Sequence, residues 1–330
     1  MSESGDYDPG PWRGHDFSSA RRHYDVHVGR SYDDAVSVGK ARKDVVPDSL
    51  TTDSESPLVI ACDVTGSMGE WPATIFSKLP YLEHEAKDYL GKGTEISFAA
   101  VGDYYGQGGS GSGDKYPLQV RPFDKSTNLK KRLEELIIEG GGGGQEKEGY
   151  DFAALYYAHN VSMPKAIKPL FIFIGDEGIY DVVNNDAAKE WARVNLTKKM
   201  TTREAFGLLK RKFEVYAIHK PYQSGSGDSM SPEDRVIYKQ WSDYLGADHI
   251  AILPEAGRVV DVIFGILAKE AGRTEDFEKE ITGRQRPSQV RTVMKSLNSI
   301  HNPVPAKSLK KLPAPASRSV TRYATKGGTS

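Results

Sequence analysis

An α/β fold built on a largely parallel sheet is what this sequence predicts, and three observations predict it. Short apolar runs alternate with stretches of helical period from residue 57 to 272, the pattern of repeated strand–helix–strand units. One of those runs, Pro169–Ile174, is apolar almost without interruption, as a central strand covered on both faces must be. Glycine-bearing polar loops follow several of the runs, at the strand ends where open α/β sheets bind ligands.

The elements follow in order. Strands are expected at Leu58–Asp63, Glu95–Val101, Leu118–Phe123, Pro169–Ile174, Phe213–Ile218 and His249–Leu253; the third is short, has polar flanks and reads as an edge. Thr74–Leu90 carries Ile75, Leu79, Leu82, Ala86 and Leu90 at helical spacing, and Leu129–Ile138 gathers Leu129, Leu133, Leu136 and Ile137 on one side. Tyr150–Asn160, Ala187–Val194, Thr201–Lys212, Pro232–Leu245 and Val259–Ala271 complete the helices. Ser231 before Pro232 is a strong helix start: a hydroxyl N-cap, proline at the first helical position, then Glu233 and Asp234 against the helix dipole.

The domain plan expected is a polar N-terminal arm over 1–56, one α/β domain over 57–272, and a basic, proline-containing, largely flexible tail over 273–330, with a short helix within Pro287–Ile300. With 38% apolar residues among 330, the chain has material for a sizeable core, while a mean hydropathy of −0.53 places polar segments outside it. A single cysteine, Cys62, excludes an intramolecular disulfide and reads as an inert core thiol. No apolar stretch approaches the roughly 20 residues that span a bilayer, and Met1–Asp6 lacks the basic and apolar regions of a secretory leader, so a cytoplasmic protein without a membrane partner is expected. The net charge of −1 hides an asymmetry: residues 281–330 hold ten Lys/Arg and no Asp/Glu, leaving 34 Lys/Arg against 45 Asp/Glu elsewhere. Arg284, Arg286, Arg291, Lys295, Lys310 and Lys311 are therefore candidates for salt-sensitive contact with nucleic acid, an alternative function in which the domain is the scaffold. The same charge also suits an acidic partner or the protein's own body.

Three loops carry the candidate chemistry. After the first strand, Asp63-Val64-Thr65-Gly66-Ser67-Met68 sets a carboxylate and two hydroxyls at alternate positions, an all-oxygen group that suits a hard cation such as Mg²⁺. The run Gly140–Gly144 leads through Gln145, Glu146, Lys147 and Glu148 into the helix at Tyr150. Gly175-Asp176-Glu177-Gly178 follows the most apolar strand. Each loop starts where a strand of one sheet ends, so the three can converge.

On these residues the chain resembles intracellular von Willebrand factor A (vWA) domains of bacterial or phage type, which carry a metal-ion-dependent adhesion site. Asp63, Thr65 and Ser67 match the family's Asp-x-Ser-x-Ser, with Thr65 keeping the hydroxyl of the first Ser, and Asp176 matches its last Asp. The glycine-rich loop departs from the pattern: it has no Thr, and Gln145 and Glu148 stand at its polar positions. The resemblance implies a three-layer doubly wound (Rossmann-like) fold, with six strands in the order 3-2-1-4-5-6 and one antiparallel edge. It implies a non-enzymatic protein–protein interaction module in which Thr65, Ser67, Asp63 and Asp176 hold Mg²⁺ (or Mn²⁺ or Ca²⁺). An open coordination position would take an Asp or Glu from a partner, in some relatives an AAA+ ATPase. Asp103, Tyr104, Tyr105, Glu177 and Tyr180 would rim that position.

A second family fits part of the pattern. In a haloacid-dehalogenase-type phosphatase, Asp63 would attack phosphorus while Asp176 and Asp181 hold Mg²⁺. Thr65 then replaces the acid/base Asp of most such enzymes, and the glycine run has no role. Nor is that run a phosphate loop, because Gln145 and Glu146 follow it instead of Lys and Ser/Thr. His219, at the end of another strand, reads as structural.

Overall fold

The computed structural model describes residues 42–68, 71–72, 75, 82–105, 113–125, 128–137, 147–222 and 230–302. Residues 1–41, the Gly140–Gly144 run, Gln145, Lys310 and Lys311 lie outside them. The strands are β1 (Leu50–Thr51), β2 (Leu58–Asp63), β3 (Ile96–Val101), β4 (Leu118–Val120), β5 (Lys147–Glu148), β6 (Val161–Ser162), β7 (Leu170–Gly175), β8 (Gly178–Ile179), β9 (Glu214–His219) and β10 (Ile250–Ile252). The helices are α1 (Arg42–Val45), α2 (Leu82–Leu90), α3 (Asn128–Glu134), α4 (Tyr150–Asn160), α5 (Asn185–Glu190), α6 (Thr202–Leu209), α7 (Pro232–Leu245), α8 (Val259–Glu270), α9 (Thr274–Arg284) and α10 (Pro287–Leu297).

The central sheet runs β10-β9-β7-β2-β3-β4. Numbered among themselves along the chain, these six run 3-2-1-4-5-6 from the β4 edge. Every pairing in it is parallel except β3 with β4 at the edge. Six strands were expected and ten are described, because two-residue strands form the separate ladders β1–β6 and β5–β8. Strand pleating divides the core in two. Leu58, Ile60 and Cys62 of β2 face one side with Ile172 and Ile174 of β7, against α8. Val59 and Ala61 face the other with Phe171 and Phe173, against α4 and α6.

Both ends of the expected domain are corrected. Val45 and Val46 are fully buried, Arg121 donates to the carbonyls of Asp44 and Val45, and β1 pairs with β6, so the body begins at least at residue 42 rather than 57. At the other end, α9 and α10 pack on α8 through Phe277, Ile281, Val293 and Leu297, all buried. A Cβ on Gly265 of α8 would lie 2.1 Å from Leu297 Cδ1; glycine there lets α10 close onto α8. The segment 274–300 is therefore part of the body, not of a flexible tail.

Candidate metal centre at the strand ends

β2 ends in Asp63, fully buried. The chain then turns so that the Thr65 N–H donates to Asp63 Oδ1 at 2.9 Å and the Thr65 hydroxyl donates to the same oxygen at 2.6 Å. This local Asx geometry is what a short acidic side chain at the start of a turn favours. Ser67 lies in the 3₁₀ turn Gly66–Met68, with its Oγ 3.3 Å from Thr65 Oγ1. It donates at 3.0 Å to Oδ1 of Asp176, the residue immediately after β7. β7 is the parallel neighbour of β2, so Asp63, Thr65, Ser67 and Asp176 form one continuous line of oxygens across two strand ends.

The second loop joins them through the β5–β8 ladder, which pairs Glu148 with Ile179. Glu148 is buried, and its Oε2 has no hydrogen-bond partner among the described residues. Glu177 is also buried; Tyr222 OH donates to its Oε1 at 2.5 Å and Trp241 Nε1 donates to its carbonyl at 3.0 Å. Tyr150, at the start of α4, donates to Asp63 Oδ2 at 2.9 Å. That approach needs Gly175, since a Cβ there would sit 1.8 Å from the Tyr150 oxygen. Lys220, just past β9, donates to Asp176 Oδ2 at 2.7 Å and to the Ser67 carbonyl at 2.9 Å.

The electrostatics follow from burial. Desolvation first, and then the charge of Asp176, hold the Asp63 carboxyl well above the usual carboxylate range. Burial, followed by the charges of Asp63 and Glu177, does the same to Glu148, and burial also raises Glu177. The Tyr150 phenol is pushed up by burial and by the same acids. An all-oxygen donor set, excess buried negative charge and an orphaned carboxylate oxygen together fit a hard divalent cation.

The structure thus brings together Asp63, Thr65, Ser67 and Asp176, and buries Glu148 where the charge of Asp63 helps to raise its carboxyl; Gln145 lies outside the described residues. Of the expected rim, Tyr104, Tyr105 and Tyr180 do form a half-buried aromatic group, with ring centroids 5.2 Å and 4.9 Å apart along the series. Asp103 and Glu177 are buried and not part of an exposed rim; Tyr180 OH donates to Asp103 Oδ1 at 2.8 Å. Asp181, the second metal ligand of the phosphatase reading, is 74% exposed and ion-paired to Lys147. His219 is buried 3.4 Å from Asp234, a structural position. Among the basic candidates, Arg284 pairs with Glu280 and Arg286 immediately precedes α10, its backbone N–H donating to Gln289 Oε1, while Arg291 and Lys295 are exposed on that helix. Sequence reasoning missed Tyr150 and Lys220. Lys220 left one readable signal, its place directly after a strand of the same parallel sheet; Tyr150 left none.

No family model and no curated protein matches the sequence. Among solved structures the chain is similar to the pilus adhesin SpaC from Lactobacillus rhamnosus GG, at 13% identity over 71% of this chain and 32% of that one, TM-score 0.43. It is similar to a von Willebrand factor type A protein from Catenulispora acidiphila, at 19% identity over 66% and 43%, TM-score 0.36. It is also similar to an adhesive tip pilin from Group B Streptococcus agalactiae, at 8% identity over 62% and 97%, TM-score 0.38. The chain spans about a third of the adhesin's length. No helix among the described residues is long and apolar enough to cross a membrane.

Proposed function

We propose that this chain is a vWA-type interaction module that holds Mg²⁺ at the ends of β2 and β7 and binds a carboxylate of a protein partner there. The observation that carries the reading is the line of oxygens from Asp63 through Thr65 and Ser67 to Asp176, set among mutually repelling buried acids. Lys220 brings one positive charge to Asp63, Asp176, Glu177 and Glu148, so a divalent ion would relieve charge that the fold leaves uncompensated. The parallel sheet with its single antiparallel edge supports the same reading.

In this proposal Asp63, Thr65, Ser67 and Asp176 hold the ion, and Glu148 supplies the middle-loop ligand in place of the family's Thr. Bound there, the ion supplies an incompletely neutralised charge with affinity for an incoming anionic oxygen. The chain's own residues do the positioning. Tyr150 fixes Asp63, Lys220 fixes Asp176 and the Ser67 carbonyl, and Tyr104, Tyr105 and Tyr180 offer an aromatic surface for the partner's flanks.

Calorimetry of Mg²⁺ and Mn²⁺ into EDTA-stripped protein tests this. One site is expected, lost in Asp63→Ala and Ser67→Ala proteins that still fold by circular dichroism. Wild-type protein that binds neither ion refutes the proposal. Release of phosphate from aryl phosphates, abolished by Asp63→Asn, would replace it with the phosphatase reading.

A further inference from the structure

At the opposite edge of the sheet, three chain segments meet. Glu214 opens β9, about 17 Å along that strand from its end at His219. His249 ends the 3₁₀ turn Ala247–His249 that feeds β10. His301 comes from beyond α10, and its backbone N–H donates to the Asp248 carbonyl at 3.0 Å, pinning the C-terminal segment to that turn. One ring nitrogen of each histidine and one Glu214 oxygen all lie within 4.8 Å of one another.

Acceptors on one residue lie beside both rings. His249 Nδ1 lies 2.9 Å from Asp248 Oδ1, and His301 Nδ1 lies 3.3 Å from the Asp248 carbonyl. In both rings Nδ1 therefore has an acceptor from one residue, the arrangement that orients an imidazole and leaves its Nε2 for a metal. His249 Nε2 faces Glu214 Oε1 at 2.7 Å. The His249 ring rests on Tyr216 at 5.1 Å between centroids and against His301 at 4.5 Å, which restrains both imidazoles. Two imidazoles and one carboxylate are a donor set for Zn²⁺, distinct in chemistry from the all-oxygen centre across the sheet. A tetrahedral ion separates neighbouring ligand atoms by about 3.4 Å, so the His249–Glu214 pair would widen by about 0.7 Å, a side-chain adjustment available to the exposed Glu214.

We propose that Glu214, His249 and His301 bind Zn²⁺ and that the ion clamps the segment after α10 to the edge of the sheet. Asp248 is the positioning residue, holding both rings without ligating. The fourth coordination position is open to water, since none of the three ligands is fully buried.

The test uses full-length protein without a histidine tag, stripped with EDTA and titrated with ZnCl₂ by calorimetry, with the Co²⁺ absorption spectrum as a second readout of donor geometry. One equivalent of Zn²⁺ at micromolar affinity or tighter is expected, with a rise in Tm. His249→Gln and His301→Gln should each weaken binding at least about tenfold and abolish the Tm rise, and Asp248→Asn should weaken it about tenfold with all ligands intact. His301 lies outside the core, so His301→Gln keeps the test valid if His249→Gln fails to fold. Asp63→Ala should keep full Zn²⁺ binding, which separates this site from the proposed Mg²⁺ centre. No Zn²⁺ binding at submillimolar concentration overturns the proposal and leaves a His–Glu ion pair. Binding unchanged in His301→Gln but lost in Asp63→Ala overturns it as well.

Discussion

Asp151 makes the energetic cost of a buried acid in this fold measurable. It lies in the first turn of α4, one residue after Tyr150, with its side chain buried and Oδ1 without a hydrogen-bond partner among the described residues. Burial raises its pKa to about 7, against partial opposition from its own backbone N–H and that of Phe152. The sign follows from linkage. The folded chain keeps this proton to about pH 7, whereas the unfolded chain releases it near pH 4, so folding is most favourable at low pH and loses stability as pH rises through that window. A shift of about 3 units at about 1.4 kcal/mol each is about 4 kcal/mol, an upper bound because relaxation and water entry reduce it. Asp151→Asn keeps the shape and removes the titration. Urea unfolding of both proteins from pH 4 to 8 should give near-equal stabilities at the acid end and a variant several kcal/mol more stable at pH 8. The other raised carboxylates cancel in the difference between the two curves. Parallel curves would refute the claim that Asp151 is held protonated by burial.

Three further outcomes are expected. Gly175→Ala drives a methyl into the Tyr150 hydroxyl, and should cost about 1–3 kcal/mol and weaken Mg²⁺ binding, with much of the stability recovered in the Gly175→Ala/Tyr150→Phe double variant; additive losses in melting experiments would contradict the contact. Lys220→Met breaks a largely buried pair with Asp176, so the metal-free protein should lose about 3 kcal/mol, while added Mg²⁺ should raise Tm by more than in wild type; an unchanged Mg²⁺ increment would count against Lys220 as the resident cation. Glu148→Gln relieves a buried acid and should stabilise metal-free protein by about 1–3 kcal/mol while weakening Mg²⁺ about tenfold, and calorimetry showing wild-type affinity would remove Glu148 from the ligand set.

What the sequence made legible was local. Leu58–Asp63, Tyr150–Asn160 and Pro232–Leu245 have the bounds expected, the last because Ser231 caps it by accepting from the Asp234 N–H. Leu118–Phe123 shortens to Leu118–Val120: the Arg121 N–H still donates to the Phe98 carbonyl, but Pro122 has no N–H with which to continue the ladder. α9 escaped notice because Phe277 and Ile281 are the buried residues on a helix otherwise mostly polar or charged, too narrow a stripe to stand out. The polar pairs of the site span long stretches of chain. Tyr150 and Asp63 are 87 residues apart and Lys220 and Ser67 are 153 apart, and no periodicity reports such contacts.

In the proposed metal centre, Glu148 differs from the acids around it. Both oxygens of Asp63 receive donors, from Thr65 and Tyr150, and both oxygens of Asp176 do, from Ser67 and Lys220. Glu177 has Tyr222. Each of these three acids thus has hydrogen-bond donors, whereas the buried Glu148 Oε2 has none among the described residues. A neutral hydroxyl at this place would cost less to bury unpaired than a carboxylate does. A carboxylate there raises the negative charge of the centre, and with it the gain from a divalent ion. In the proposed Mg²⁺ centre, Glu148 is therefore the acid that a bound cation would relieve most.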